Sequence, residues 1–136
     1  MKISEVENIQ KSLNKFVEGL RLLDYDKISE IFFEKGLSCG SVKGEVQYVY
    51  RDHWKEMAEK AQAEGEDFES STANYTIKAL NILGNAASVI IDFEFRIDNK
   101  ITERYIDFFH MLKIRDKWLI INKIFPTDIE RGRIEG

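Results

Sequence analysis

The sequence predicts an α+β domain in which helices cover one face of a mostly antiparallel sheet, and three observations carry that prediction. Helical spacing of apolar residues is confined to the first half of the chain. Four long stretches follow without another helix: Thr72 to Leu83, Ala86 to Ile97, Ile101 to Ile114 and Trp118 to Phe125. Their breaks, Gly84-Asn85, Asp98-Asn99-Lys100 and Arg115-Asp116-Lys117, are short enough for hairpin connections. Helices collected before a single meander define the α+β class. The last strand, WLIINKIF, is apolar on both faces, with Trp118, Ile120 and Ile124 on one and Leu119, Ile121 and Phe125 on the other. Both faces therefore need cover.

A chain of 136 residues fits one domain and can bury a sizeable core. The reading is a single domain over 1–136, with its core at about 4–125 and a polar, frayed tail at 126–136. With 43% hydrophobic and 32% charged residues, the composition is that of a water-soluble globular protein. A net charge of −4 supplies no basic field for nucleic acid or an anionic membrane surface. The apolar runs are too short to span a bilayer, and MKISEVENIQ lacks the apolar segment of a signal peptide. The single cysteine, Cys39, permits no internal disulfide and fits a reducing compartment, so a cytoplasmic location is expected.

The elements follow in order. The first helix is expected over 4–23, opened by a capping box of Ser4 and Glu7. Ile3, Val6, Ile9, Leu13, Phe16, Leu20 and Leu23 give it one apolar stripe. Gly19, at the edge of that stripe, either marks the close approach of another backbone or is merely tolerated. Asp24-Tyr25-Asp26 breaks the pattern and offers carboxylates to cap a short second helix, with Ile28, Ile31 and Phe32 facing inward and Gly36 closing it. Leu37 to Gly44 reads as a short strand with turns, and Glu45 to Tyr50 as a half-buried strand. Asp52 is the expected N-cap of a third helix with Trp54, Met57, Ala58 and Ala61 inward, ended by Gly65.

The blocks FVEGLRLLDYDKISEIF, LNILGNAASVIIDF and YIDFFHMLKIRDKWLIINKIF resemble successive segments of the "Putative lumazine-binding" branch of the nuclear transport factor 2-like superfamily. They are similar, more distantly, to the SnoaL-like polyketide cyclases. The likeness covers about residues 5 to 125. Its most specific part is Asp107 before Phe108-Phe109, then Leu-Lys-Ile, a turn, Trp118 and Ile-Asn-Lys. The chain departs from the pattern at Arg115-Asp116, where Asp-Gly is usual, and it lacks a histidine often seen after the second helix. The resemblance implies a cystatin-like cone: three helices on a strongly curved, mostly antiparallel sheet. The branch's name is a label of similarity, so lumazine binding is not carried over as an activity.

In a cone the concave face is where a pocket opens. Strand side chains alternate with period two, so an inward Trp118 brings Ile120 and Asn122 with it. Across a two-residue turn Lys113, Met111, Phe109 and Asp107 share that face. Asp107 is then a carboxylate aimed into a mostly apolar cavity, placed for general acid or base work. The plainer alternative puts it at the cavity mouth, ion-paired or solvated. Phe16, Tyr25, Trp54, Phe109, Met111, Trp118 and Asn122 are the expected ligand-contacting residues. Tyr25 and Asp26 sit where related cone enzymes place a pocket tyrosine or aspartate, although helix capping by Asp24 or Asp26 explains the same acidic pair. His110 has the opposite parity to Asp107 and faces outward, unless a register slip of one brings it inside beside Asn122. His53 and His110 lie on different elements without metal-ligand spacing, so no metal is expected, and no cofactor fingerprint is present. Arg96 and Asp98, with Asp107 nearby, resemble the Asp-Arg-Asp constellation of cone-fold epoxide hydrolases, but Asp98-Asn99 reads first as turn chemistry.

Two functional readings follow. The first is a small-molecule-binding or accessory domain holding an apolar or aromatic ligand in the cone. The second is a cofactor-independent lyase, isomerase or hydrolase with Asp107 as general base. In both, Phe108, Leu112, Leu119, Ile121 and Phe125 on the convex sheet face are expected to be covered in a homodimer.

Overall fold

The computed structural model describes residues 3–126 and 132–133, with side chains over 5–126. Helix α1 spans Ile3–Leu22 and buries Ile9, Leu13, Phe16 and Val17. The Ser4–Glu7 capping box lies outside the described side chains. Leu23, at φ +50°, ends the helix, and the Asp24 carboxylate accepts from the Lys27 amide to cap α2, Tyr25–Ile31. The two helices meet at Gly19, where a Cβ would lie 2.7 Å from Ile28 Cγ1. Of the two readings of Gly19, close approach is therefore the one the packing requires.

Strand β1, Phe32–Val42, begins directly after α2. This corrects the expectation that Phe32 belongs to the helix and that Gly36 closes it. Phe32 is extended and pairs with Ile120, because an Ile-Phe-Phe run gains more from sheet burial than from prolonging a seven-residue helix. Lys43-Gly44, both at positive φ, turn the chain into β2, Glu45–Tyr50. Helix α3, Arg51–Ala63, is N-capped at Tyr50 without a side-chain bond. Asp52, expected in that role, instead accepts from the Tyr25 hydroxyl at 2.9 Å. Gly65 follows the helix end at φ +71°, as a C-terminal glycine should.

The meander is as expected: β3 Thr72–Leu83, β4 Ala86–Ile97, β5 Lys100–Ile114 and β6 Lys117–Phe125. Asp98-Asn99 and Arg115-Asp116 form two-residue turns with both residues at positive φ. Spatially the sheet runs β2-β1-β6-β5-β4-β3. Every neighbour in that order is antiparallel except β1 with β6, which is parallel. A short β7, Gly132–Arg133, pairs with Glu103 and Arg104 on β5, inside the stretch expected to be frayed. The helices lie on the concave side, where Ser12 Oγ of α1 donates to the Trp118 carbonyl at 2.6 Å. Phe16, Phe32, Phe93, Phe109, Met111, Trp118 and Ile120 fill the core between the layers. No described helix is long and apolar enough to cross a membrane.

One irregularity decides what faces inward beyond this core. On β6, Ile120 pairs with Met111 and Asn122 with His110, so Ile121 is an extra residue opposite the β5 ladder. Such a bulge exchanges the two faces of everything after it. On the other side, β1 is irregular between Phe32 and Leu37. There Gly36 packs so closely that a Cβ would stand 2.9 Å from the Ile121 carbonyl oxygen and 2.8 Å from the Phe32 ring. After the bulge Lys123 and Phe125 point inward while Asn122 and Ile124 point outward, which corrects the expected placing of Asn122, Ile124 and Phe125.

Candidate functional site

Ahead of the bulge the inward residues close on themselves. Phe109 stands edge-on to Phe16 at 5.4 Å, and Met111, Trp118 and Ile120 are each 1% exposed or less. Past it, the sheet and helices diverge around a cavity of about 880 Å³. Leu20, Arg21 and Leu23 of α1 and Trp54 and Met57 of α3 form one wall, and Phe95, Thr102 and Tyr105 belong to the other. Phe68 and Ser71, in the loop after α3, border it as well.

Asp107 and Lys123 border the same cavity, and both are buried. Asp107 is 0% exposed and Lys123 8%, with Lys123 Nζ 3.1 Å from Asp107 Oδ2. Lys123 sits opposite Phe109 on the neighbouring strand and reaches diagonally to Asp107. Three rings surround its ammonium: Phe125 at 5.6 Å, Phe16 at 5.8 Å and Trp54 at 5.9 Å from Nζ to centroid. Carboxylate and aromatic faces together compensate a charge that would otherwise be costly to bury.

The wall nearest the loop is braced by Arg21. Its guanidinium donates to the Ser71 carbonyl at 2.6 Å, to the Phe68 carbonyl at 3.2 Å and to both Glu18 carboxylate oxygens at 2.9 Å. The hydrogen bond from Arg21 holds the Glu18 carboxyl below its ordinary pKa, and the same bond raises that of Arg21. Loop 66–71 is thereby fixed to the end of α1.

The expected site residues divide cleanly. Asp107 and Trp54 border the cavity. Phe16, Phe109, Met111 and Trp118 lie in the packed core, outside the cavity's lining. Tyr25 lies at the α2–α3 junction, hydrogen-bonded to Asp52 with the Arg51 guanidinium over its ring at 5.8 Å. Burial, and then the Asp52 bond, raise the Tyr25 phenol above its ordinary pKa. Asn122 is on the outer face beside His110, which is exposed as its parity predicts. Arg96 bonds Glu94 at 2.7 Å and Asp98 sits in a turn, so the Asp-Arg-Asp likeness has no counterpart at the cavity. Lys123 was missed because a lysine in a strand reads as a solvated residue. The one available signal was its place five residues past Trp118, the start of a run apolar on both faces. Among the described residues, no three His, Cys, Asp or Glu side chains converge as a metal-binding group.

The convex face carries a row of apolar side chains across four strands, set by register: Tyr48, Cys39, Ile124 and Phe108. Tyr48 is 58% exposed, Ile124 44% and Phe108 42%.

A family model described as "Putative lumazine-binding" matches residues 4–126. No curated protein matches the chain in sequence. Among solved structures, the chain is similar to a nuclear transport factor 2-like protein of unknown function from Silicibacter pomeroyi, at 23% identity and TM-score 0.72, covering 92% of this chain and 98% of that one. A protein from Shewanella baltica, of the same type and also of unknown function, gives 24% identity and TM-score 0.72 over 92% and 94%. A cystatin-like protein of unknown function from Nostoc punctiforme shares 10% identity at TM-score 0.70 over 93% and 92%. At these identities the likeness is one of fold.

Proposed function

From the chain's membership of the "Putative lumazine-binding" family, a branch of the nuclear transport factor 2-like superfamily, we propose that it is a small-molecule-binding domain whose ligand occupies the cone cavity. One observation carries this reading: a cavity of about 880 Å³, in the size range of drug-sized ligand sites, bordered by apolar and aromatic side chains, by Arg21, Glu66, Lys100 and Glu103, and by one buried Lys–Asp pair. A few convergent polar groups in an apolar pocket are what orient a ligand. The Lys123 contact supports binding ahead of proton abstraction, since Oδ2 of Asp107 serves to hold an ammonium in place.

The same proposal includes a homodimer in the cytoplasm, formed through the convex face. The Tyr48–Cys39–Ile124–Phe108 row, continued by Leu112, would otherwise face water. Sedimentation velocity at micromolar concentration should give a dimer, and Ile124→Glu should give a monomer; a monomeric native protein overturns the dimer.

The binding reading is tested by calorimetric titration of the full chain with 2-ethylnaphthalene, a flat apolar bicycle. Saturable binding that is weakened or lost in Thr102→Trp, which puts an indole into the cavity, is the expected result. Absence of binding, or binding indifferent to Thr102→Trp in a folded variant, would remove the cavity as the site.

A further inference from the structure

The cavity's polar groups also define what the ligand must carry. An ammonium has three N–H donors. Lys123 gives one to Asp107 Oδ2, and the described residues place no other hydrogen-bond acceptor against it. The rings of Phe16, Trp54 and Phe125 also stand near it. Rings attract a cation but replace the hydration of an N–H donor only weakly. A buried donor without an acceptor is unfavourable, and a bound acceptor removes that cost. The same physics makes such a site reject analogues that lack the acceptor.

Charge decides what kind of acceptor fits. Among the described residues, the cavity lining contains three cationic side chains, Arg21, Lys100 and Lys123, against three carboxylates, Glu66, Glu103 and Asp107. A ligand carboxylate beside Asp107 would add a negative charge to a lining whose described charges already balance. A carbonyl oxygen adds no net charge and presents two lone pairs to the ammonium. Trp54, Phe95 and Tyr105 on the cavity walls suit a flat π-body attached to it.

We propose that the cavity selects a neutral, flat aromatic molecule bearing a carbonyl oxygen that accepts a hydrogen bond from the Lys123 ammonium. This rests on the reading of the cavity as a ligand site, and the test keeps the two apart. Three probes share one body: 2-acetylnaphthalene has the carbonyl, 2-ethylnaphthalene lacks it, and 2-naphthoate replaces it with an anion. Calorimetry on the full chain should show the ketone bound about tenfold or more tightly than the hydrocarbon, and more tightly than the carboxylate. Equal affinity for ketone and hydrocarbon overturns carbonyl recognition while leaving cavity binding intact. A preference for 2-naphthoate overturns neutrality and makes the site an anion site. No binding by any probe removes the cavity reading and this inference with it. Lys123→Met should reduce the ketone to the hydrocarbon's affinity. Should that variant not fold, the infrared carbonyl stretch of ¹³C-labelled 2-acetylnaphthalene bound to native protein reads the hydrogen bond directly. It should move to lower frequency, and an unshifted band overturns the proposal.

Discussion

The β5–β6 ladder has two halves that face the same helices, one solid and one hollow. Toward the Arg115-Asp116 turn, Met111, Trp118 and Ile120 are buried in the core that α1 covers. Beyond Ile121, the same two strands present Asp107, Lys123 and Tyr105 to a cavity. Apolar content alone does not separate the halves, since both are ringed by Phe and Trp side chains. What separates them is a single inserted residue, which turns a lysine inward where alternation would have placed an asparagine. A packed core and an open cavity can thus be built from one pair of strands, and the bulge is the boundary.

The contrast can be broken most strongly from the solid side. Phe109→Ala should cost about 3–5 kcal/mol in urea denaturation, as large truncations in closed cores do. Met57→Ala, on the cavity wall and already 39% exposed, should cost about 1 kcal/mol or less. Comparable losses at the two positions would mean that the hollow half is packed as tightly as the solid one. Next in size is Lys123→Met, which leaves the fully buried Asp107 without its ammonium and should cost about 3 kcal/mol. Adding Asp107→Leu to it should return stability to within about 1 kcal/mol of native, because the pair then leaves together. If the double variant remained as unstable as the single one, the charges would be acting through something other than each other.

The boundary itself is probed by Gly36→Ala. With the Ile121 carbonyl oxygen 2.9 Å from the new Cβ, backbone must shift, at a cost of about 1–3 kcal/mol. The displacement should appear in amide chemical shifts of Ile121, Asn122 and Lys123 before it reaches Trp118. The smallest effect belongs to the hollow half's outer brace. Because Arg21 holds the Glu18 carboxyl below its ordinary value, that contribution is complete above pH about 4.5 and is lost as pH falls through the lowered folded value. Glu18 is 44% exposed, so the effect is screened and should be under about 0.5 kcal/mol. Thermal melts of native and Glu18→Gln proteins should differ at pH 6 and converge near pH 3; a constant gap would assign the difference to something other than this titration.

How much of this was legible in the sequence follows from how local each cause is. The meander could be read because its turns declare themselves: Asp98-Asn99 and Arg115-Asp116 are residues that tolerate positive φ, flanked by alternating strands. The inward parity of Asp107, Phe109 and Met111 followed from a two-residue turn. The bulge could not be read, because in Leu119-Ile120-Ile121 every position is apolar and no polar residue marks which face is which. Asn122 and Lys123 are both polar, so either could have been the inward one, and Asn122 is the less costly to bury. The start of β1 was hidden for a related reason, since Ile28, Ile31 and Phe32 keep helical spacing up to the point where pairing with Ile120 takes over. The Tyr25–Asp52 bond joins two helices across 27 positions, and no local pattern announces it.

The parallel pairing of β1 with β6 has a consequence for the order in which the molecule assembles. Each hairpin of the meander closes over two residues, whereas Ser38 beside Lys123 joins segments separated by most of the chain. Loop closure over that span is slow relative to hairpin formation, and proteins dominated by such non-local contacts fold later than their local parts. The meander should therefore form first and the first helices with β1 should dock onto it afterwards. The cavity, which draws Leu20 and Arg21 from one of these bodies and Asp107 and Lys123 from the other, cannot exist before that step. Burial of Lys123 should accordingly track the slow phase of refolding, and no isolated hairpin of this protein should bind a ligand.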